Sequence, residues 1–450
     1  MAPQVFEWAL MVVFCPPAKQ FLCLPDHGSD PMCPVSVSTD QVRNPGGFER
    51  RFAAMMRRAV HKGTLNVCYP SGAEEIYGDG SSPKAAITVK DDKALRAIYR
   101  DPALKFAEMY MDGRLLVDDD GLDSFLQIVK ASGSKNFATA PAIVMTCWRI
   151  LERFWRRHIA RENARRNVAH HYDLDERLFR LFLDDDLQYS CAYFESPEAS
   201  LEQAQRAKKT HIAAKMLLEP GQRVLDIGCG WGGMGLFLAQ HFKVDVTGIT
   251  LSIEQQRVAR QRAQELGLME KVRFELCDYR AVQGKFDRLV SIGMFEHVGP
   301  QNFLAYFSTA KRLMKEDGVF VLHSIGRAKP NLFDPPFIEK YIFPNGHIPA
   351  LSETVREIER SGLLIKDIEI LTYHYADTLK HWRARFHANR DQVLELYDER
   401  FFRMWDLYLA SSEASFRYGK LFNFQIQIVK KQSTSRPTRS YMLESATELG

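Results

Sequence analysis

The run Val224-Leu225-Asp226-Ile227-Gly228-Cys229-Gly230-Trp231-Gly232-Gly233 constrains the fold more than any other stretch of this chain. It reads as a buried strand that breaks into a glycine-rich turn and continues as a helix, with glycines where backbone must approach a ligand closely. The rhythm then repeats. Strands are predicted at Arg223 to Gly228, Lys243 to Ile249, Val272 to Cys277, Phe286 to Ile292 and Val319 to Ser324, with helices at Gly233 to His241 and Ser252 to Leu266, the second closed by Gly267. Two late strands, Leu364 to Leu371 and Phe424 to Val429, flank a helical region rich in aromatics. Such alternation makes a mostly parallel sheet covered by helices on both faces, an α/β fold of seven strands.

Upstream the pattern differs. Residues 1–46 carry prolines and cysteines without periodicity and are expected to be a disordered leader. A small α+β domain is expected over 47–147: a basic helix from Phe48 to His61, strand-like alternation with the turn Gly78-Asp79-Gly80, then a helical run from Asp91 to Met111. Residues 148–185 form a basic helical linker, in which Arg149, Arg153, Arg156, Arg157, Arg161, Arg165 and Arg166 accompany Trp148, Ile150, Leu151, Phe154, Trp155 and Ile159. That stretch reads either as a solvated connecting helix or as a basic amphipathic surface for anionic phospholipid. The second large domain runs over 186–431, and 432–450 is polar and expected to be disordered.

Composition narrows the field. With 60 basic and 56 acidic side chains the net charge of +4 is too small to argue for or against nucleic acid; no nucleic-acid partner is expected. The 8 cysteines are irregularly spaced with no CxxC pair, which points to a reducing compartment and not to a disulfide framework or a metal site. No segment offers about 18 uninterrupted apolar residues. Val5 to Cys15 is broken by Glu7 and ended by Pro16-Pro17, so any membrane is met from the surface; the expected location is cytoplasmic, peripheral to the inner face.

The glycine turn lacks the Gly-Lys-Ser/Thr ending of a phosphate loop and begins with an acid at the end of its strand. Asp226-x-Gly228-x-Gly230 is similar to the first motif of class I S-adenosylmethionine methyltransferases, with Gly232 closing the turn. Thr250-Leu251-Ser252 falls where such enzymes hold the ribose, although no Asp or Glu ends that strand. Gln255, three residues after Ser252, reads as a ligand contact or as half of a helix capping box. Asp278 and Tyr279 follow the third strand, where adenine is usually bound.

Further fragments decide the family: Tyr189-Ser190-Cys191-Ala192-Tyr193-Phe194, Gly293-Met294-Phe295-Glu296-His297-Val298-Gly299, Leu322-His323-Ser324-Ile325-Gly326 and His374-Tyr375-Ala376-Asp377-Thr378-Leu379. With the glycine loop and Gly248 to Ser252 they resemble the cyclopropane-fatty-acyl-phospholipid synthases and the mycolic-acid cyclopropane synthases, over roughly residues 47–431. The resemblance implies a small lipid-binding domain followed by a class I methyltransferase domain, a homodimer, and transfer of the S-adenosylmethionine methyl to a cis alkene of a phospholipid acyl chain. The resulting carbocation loses a proton as the ring closes. In the family a bound bicarbonate serves as base, and its ligands fall on Cys191, Glu296, His323, Tyr375 and the Ile325 amide; Tyr189 and Ser190 join the cofactor contacts.

That set makes physical sense by itself. A carbocation is deprotonated by a weak base, so an oxyanion held by hydrogen bonds in a dry pocket suffices. Glu296 can accept a proton, His323 and Tyr375 can donate, and the faces of Tyr193, Phe194 and Phe295 can stabilise positive charge. Taken singly, Cys191 reads as a small buried hydrophobe and His323 as a core histidine; their order and company favour function. His374, His381 and His387 read as surface histidines of a helix, unlike a zinc site. Ser412 stands where the family usually carries cysteine, which makes that cysteine dispensable or shifts the product. The alternatives are methylation to a methyl- or methylene-branched chain, and a non-catalytic lipid-binding protein of the same fold.

Overall fold

The computed structural model describes residues 46–118, 121–159, 175–331, 334–344, 346–434 and 436–442. The first part opens with α1 (Gly47–Ala59), whose Phe52, Met55 and Met56 face inward over strands β1 (Thr64–Cys68), β2 (Glu74–Gly78), β3 (Lys84–Val89) and β4 (Leu115–Val117). These strands form a sheet of order β2-β1-β3-β4, parallel only between β1 and β3. The helical run expected from Asp91 to Met111 is two helices, α2 (Asp92–Arg100) and α3 (Pro102–Met111). Proline disfavours helical geometry at the residue before it, and Asp101 is accordingly non-helical at φ −152° and ψ 73°. Helices α4 (Gly121–Ser132) and α5 (Ala140–Ile159) complete this part.

After α6 (Glu176–Arg180) and α7 (Leu201–Met216) the chain enters the seven-stranded sheet. Its elements are β5 (Arg223–Ile227), α8 (Gly233–Phe242), β6 (Asp245–Thr250), α9 (Ile253–Glu265), β7 (Val272–Leu276), β8 (Phe286–Ile292), α10 (Phe303–Leu313) and β9 (Met314–Arg327). There follow α11 (Leu351–Arg360), β10 (Leu364–Leu371), α12 (His374–Ala388), α13 (Arg390–Leu396), α14 (Glu399–Arg417) and β11 (Leu421–Val429). Strand order is β10-β11-β9-β8-β5-β6-β7, with β11 alone reversed. The order turns back between β5 and β8, and in open α/β sheets a ligand crevice forms beyond the carboxyl ends of the strands at that point.

Helix α14 also docks the first part. Its Asp406 accepts from the Tyr110 hydroxyl of α3 at 3.0 Å and its Ser415 from Lys130 of α4 at 2.8 Å, while Arg383 of α12 reaches Asp123 at 2.6 Å. The tail expected to be disordered from 432 is folded back as far as 442: Tyr441 and Met442 are buried, and the Tyr441 hydroxyl accepts from Gln427 at 3.1 Å. The apolar pair anchors an otherwise polar segment; residues 443–450 lie outside the described residues, as does the leader apart from residue 46.

Of the basic linker, Arg161, Arg165 and Arg166 lie outside the described residues, and so do the side chains of 151–159. Arg149 is not free for lipid, since it clasps the buried Asp101 carboxylate at the α2–α3 break, with Nη1 at 3.1 Å. Ile143, Val144 and Trp148 of α5 stand exposed. Among the described residues no helix is long and apolar enough to cross a membrane.

Candidate active site

A pocket opens at the carboxyl ends of β5, β6 and β8. Tyr189, Ser190, Asp226, Gly228, Gly230, Thr250, Leu251, Gln255, Asp278 and Tyr279 all line it. Gly232 does not. It sits at φ +85° as the cap of α8, where an added Cβ would come within 2.7 Å of the Phe274 ring and 2.9 Å of Ala259. It is the glycine that lets the helix close on the sheet, a role the motif also serves. Gly228, at the same φ of +85°, does form the wall, and a Cβ there would meet Met294 at 2.8 Å.

Helix α7 holds the opposite wall. Gln205 Nε2 donates to the carbonyls of Gln188 and Ser190 at 3.2 and 2.9 Å, and the buried Lys208 donates to Gln188 Oε1 and to Ser190 Oγ. Arg262 ties the walls together by donating to the Trp231 carbonyl at 2.8 Å and pairing with Asp186, which Lys209 also holds. Gln205, Lys208, Lys209, Asp186 and Arg262 belong to none of the motifs. Their only sequence signal was a set of long polar side chains on the face of a helix that must pack against a sheet.

Asp226 is the electrostatic centre of the pocket. Burial lifts its pKa to about 7, partly opposed by the Lys208 charge, and its Oδ2 is buried without a hydrogen-bond partner. An orphaned buried carboxylate is costly unless a ligand completes it, and a cationic amino-acid end does so. Gln255 forms half of a capping box. Its N–H donates to Ser252 Oγ at 3.3 Å, but its Oε1 is taken by the Thr250 hydroxyl at 2.9 Å and does not return to the Ser252 amide, which donates instead to Thr250. Asp278 is clasped by Arg280 through its amide and its side chain, and Tyr279 packs edge-on against Tyr306.

Behind this pocket lies a buried polar strip. Cys191 follows Ser190 in the pocket wall, and Glu296 lies between the pocket-lining Met294 and His297. The Ile325 N–H donates to Glu296 Oε1 at 2.7 Å, so this amide already has a partner. Glu296 Oε2 is buried without one, and burial lifts this carboxyl to about 7. His323 lies between the side-chain amides of Asn423 and Gln425, and burial with nearby cations holds it neutral, its pKa well below the ordinary value. Asn423 also lies beside Cys191, whose thiol burial pushes far up, so it is a thiol and not a thiolate. Asn423 thus joins Cys191 to His323, and on the paired strand it stands opposite Ile325, whose amide holds Glu296. Tyr375, in the first turn of α12, packs on Phe416 and Trp382.

Three expectations are corrected here. Phe295 is no open cation-binding face: it is fully buried among Phe303, Tyr306 and Phe307. Tyr193 is sandwiched between His211 and His374, with centroids 4.4 and 4.8 Å away, which covers both of its faces. His374 and His381 are half-buried and not surface histidines; His374 Nδ1 accepts from the Phe194 amide at 3.0 Å and His381 stacks on Phe194, which fixes the segment carrying Cys191. His387 is exposed on one side but paired with Asp406 at 2.7 Å. Ser412 lies half-buried on α14. Among the described residues no group of three His, Cys, Asp or Glu side chains is arranged to hold a metal.

A seven-stranded sheet with one reversed strand, a glycine turn after β5 and an unsatisfied acid facing its pocket define an S-adenosylmethionine-dependent methyltransferase of class I. Residues 159–426 match the family model described as mycolic acid cyclopropane synthetase, and residues 52–136 match a domain of unknown function. The chain belongs to the mycolic acid cyclopropane synthetase family. It is 39% identical over 351 residues to the cyclopropane-fatty-acyl-phospholipid synthase of Escherichia coli K12, covering 77% of this chain and 88% of that protein. It is 34% identical over 391 residues to a tuberculostearic acid methyltransferase of Mycobacterium tuberculosis, covering 84% and 90%. A solved mycolic acid cyclopropane synthase complexed with SAH and CTAB superposes with a TM-score of 0.56 at 35% identity, over 59% of this chain and 97% of that one.

Proposed function

We propose that this enzyme transfers the methyl group of S-adenosylmethionine to a cis double bond of a phospholipid acyl chain and closes a cyclopropane ring. The observation that carries the reading is the buried set of Cys191, His323 and Glu296 behind the cofactor pocket, dry and weakly basic as the deprotonation of a carbocation requires. In the reaction the methyl carbon bonds to one alkene carbon as its bond to sulfur breaks, and the other alkene carbon becomes cationic. A proton then leaves the added methyl, and its bonding pair closes the ring.

The residues present fit a small oxyanion in this strip. Glu296 Oε2 is a buried oxygen in want of a partner, its carboxyl titrates near 7, and a neutral His323 can donate to an anion. Bicarbonate, when bound, supplies the base that takes up the ring-closing proton. Glu296, His323 and Tyr375 would hold it, with Cys191 packed beside them and the Ile325 amide fixing the Glu296 carboxyl, and Tyr189, Ser190, Asp226, Thr250, Leu251, Gln255, Asp278 and Tyr279 would hold the methyl donor. The membrane would be met peripherally, at its cytoplasmic face, through the exposed Ile143, Val144 and Trp148 of α5 and the basic side chains that follow.

A second outcome, a methyl- or methylene-branched chain, is supported by the likeness to a tuberculostearic acid methyltransferase and by Ser412. The test is mass spectrometry of fatty acids after incubation with S-adenosylmethionine and vesicles of cis-monounsaturated phospholipid. The expected result is a gain of about 14 Da, one CH₂, in a product that resists hydrogenation and whose yield falls in bicarbonate-free buffer. A product that takes up hydrogen supports the methylene branch; no gain with cofactor binding intact overturns the substrate.

A further inference from the structure

A line of buried hydrogen bonds crosses the sheet to reach the reaction strip. On the antiparallel pair β9 and β11, Gln425 stands opposite His323 and Asn423 opposite Ile325. Residues two apart on a strand share a face, so Asn423, Gln425 and His323 point together beneath Lys215 of α7. All four side chains are 0 or 1% exposed.

In so dry a setting each hydrogen bond has a definite sense. Lys215 lies 2.6 Å from Gln425 Oε1 and also pairs with the Glu369 carboxylate. Burial lowers its proton affinity, but Glu369 opposes that, and Glu369 itself is held charged by His211 and Lys215 against its own partial burial. An ammonium has only donors, so Gln425 meets Lys215 with its oxygen and has only its NH₂ left for His323 Nδ1, 3.1 Å away. Nδ1 therefore accepts. A neutral imidazole that accepts at one nitrogen carries its proton on the other. Nε2–H then faces Asn423, whose amide must turn its oxygen toward it; a half-turn about Cβ–Cγ exchanges the two ends, and that oxygen is otherwise buried without a partner.

We propose that Lys215 and Gln425 are positioning residues that set His323 as the Nε2-protonated tautomer, with its single donor turned to the Asn423 and Cys191 side of the strip. The consequence for turnover rests on the function proposed above, in which a bound oxyanion takes over the Nε2–H that the Asn423 oxygen receives in the ligand-free protein; the tautomer does not.

The experiment is long-range ¹H–¹⁵N correlation of full-length protein labelled with ¹⁵N-histidine, the His323 signals being assigned by their loss in His323→Gln. The expected spectrum has a bare Nδ1 and a protonated Nε2. In Gln425→Glu a carboxylate held ionised by Lys215 can only accept, so the proton should move to Nδ1. Turnover should then fall by about 100-fold or more, a wrong tautomer costing about 10⁴-fold in a catalytic triad, with the KM for S-adenosylmethionine unchanged. Lys215→Met frees Gln425 to turn and should give a mixture of tautomers, while Lys215→Arg keeps a donor and should restore the wild-type spectrum. A wild-type His323 protonated on Nδ1 overturns the inference even if no variant folds, as does an unmoved proton in a folded Gln425→Glu protein. An inverted tautomer with unchanged lipid turnover supports the relay and instead removes His323 from the proposed reaction.

Discussion

The Ile325 N–H donates to Glu296 Oε1 at 2.7 Å, and the other oxygen of the same carboxyl is buried with nothing to receive it. One oxygen of Glu296 is therefore committed to the fold and the other is open to a ligand. In Glu296→Gln the amide oxygen can keep the bond to Ile325 while the titratable group is lost. Isothermal titration should find S-adenosylmethionine affinity within about twofold of wild type, and acyl-chain modification should fall by about 100-fold or more, the lower range of general acid–base contributions. Loss of cofactor binding would mean that Glu296 supports the pocket and not the reaction.

Asp226 and Glu296 are both lifted to about 7 by burial. Each binds its proton more tightly folded than unfolded, so its contribution to stability is complete below the ordinary carboxyl range and is lost as pH rises through about 7. The double variant Asp226→Asn, Glu296→Gln should therefore gain on the ligand-free wild type between pH 5 and pH 8 by on the order of 2 kcal/mol per carboxyl, since each tenfold change in proton affinity is worth about 1.4 kcal/mol. Urea unfolding at the two pH values reads this difference; equal gaps would show that both carboxylates are solvated when charged.

The same titration acts on the methyl donor. A cationic ligand end prefers the ionised Asp226, so wild-type affinity for S-adenosylmethionine should weaken as pH falls from 8 to 6. Asp226→Asn should bind weakly at both. A pH-dependent Asp226→Asn protein would place the titrating group elsewhere in the pocket.

Gly232→Ala should unfold the protein more readily without touching a ligand. It forces a side chain into left-handed backbone, about 1–2 kcal/mol, and into the Phe274 and Ala259 contacts, about 1–3 kcal/mol more. Thermal unfolding would register the loss; wild-type stability would mean that α8 can slide away from β7 without cost.

Trp148 and Val144 are 65% and 67% exposed on α5. Replacing both with serine should reduce sedimentation with phosphatidylglycerol vesicles about tenfold while leaving S-adenosylmethionine affinity unchanged. Arg149→Ala should instead loosen the docking of α5, because Arg149 is spent on Asp101. Unchanged vesicle binding in the double variant would move the lipid surface off this helix.

The strands and helices around the glycine loop were legible because a buried strand and a Gly-rich turn leave local marks: continuous apolar runs, positive-φ glycines, caps. Asp226 and the residues of β6 and β7 could be assigned to the pocket for the same reason, since each stands at a strand end. The break at Asp101 was also written in the sequence, in Pro102, although the apolar periodicity ran through it.

What the sequence alone determined, then, was the α/β class, the cofactor loop and the residue types of the buried polar strip behind it. The tertiary structure decided how those groups are completed. Lys208 and Gln205 hold Ser190 from a helix, Asn423 joins Cys191 to His323 from the last strand, and Gly232 turns out to serve packing and not the pocket. Periodicity reports which face of an element is buried. It cannot report which element from hundreds of residues away will bury it, and the partner of a buried polar group is set by that distant choice.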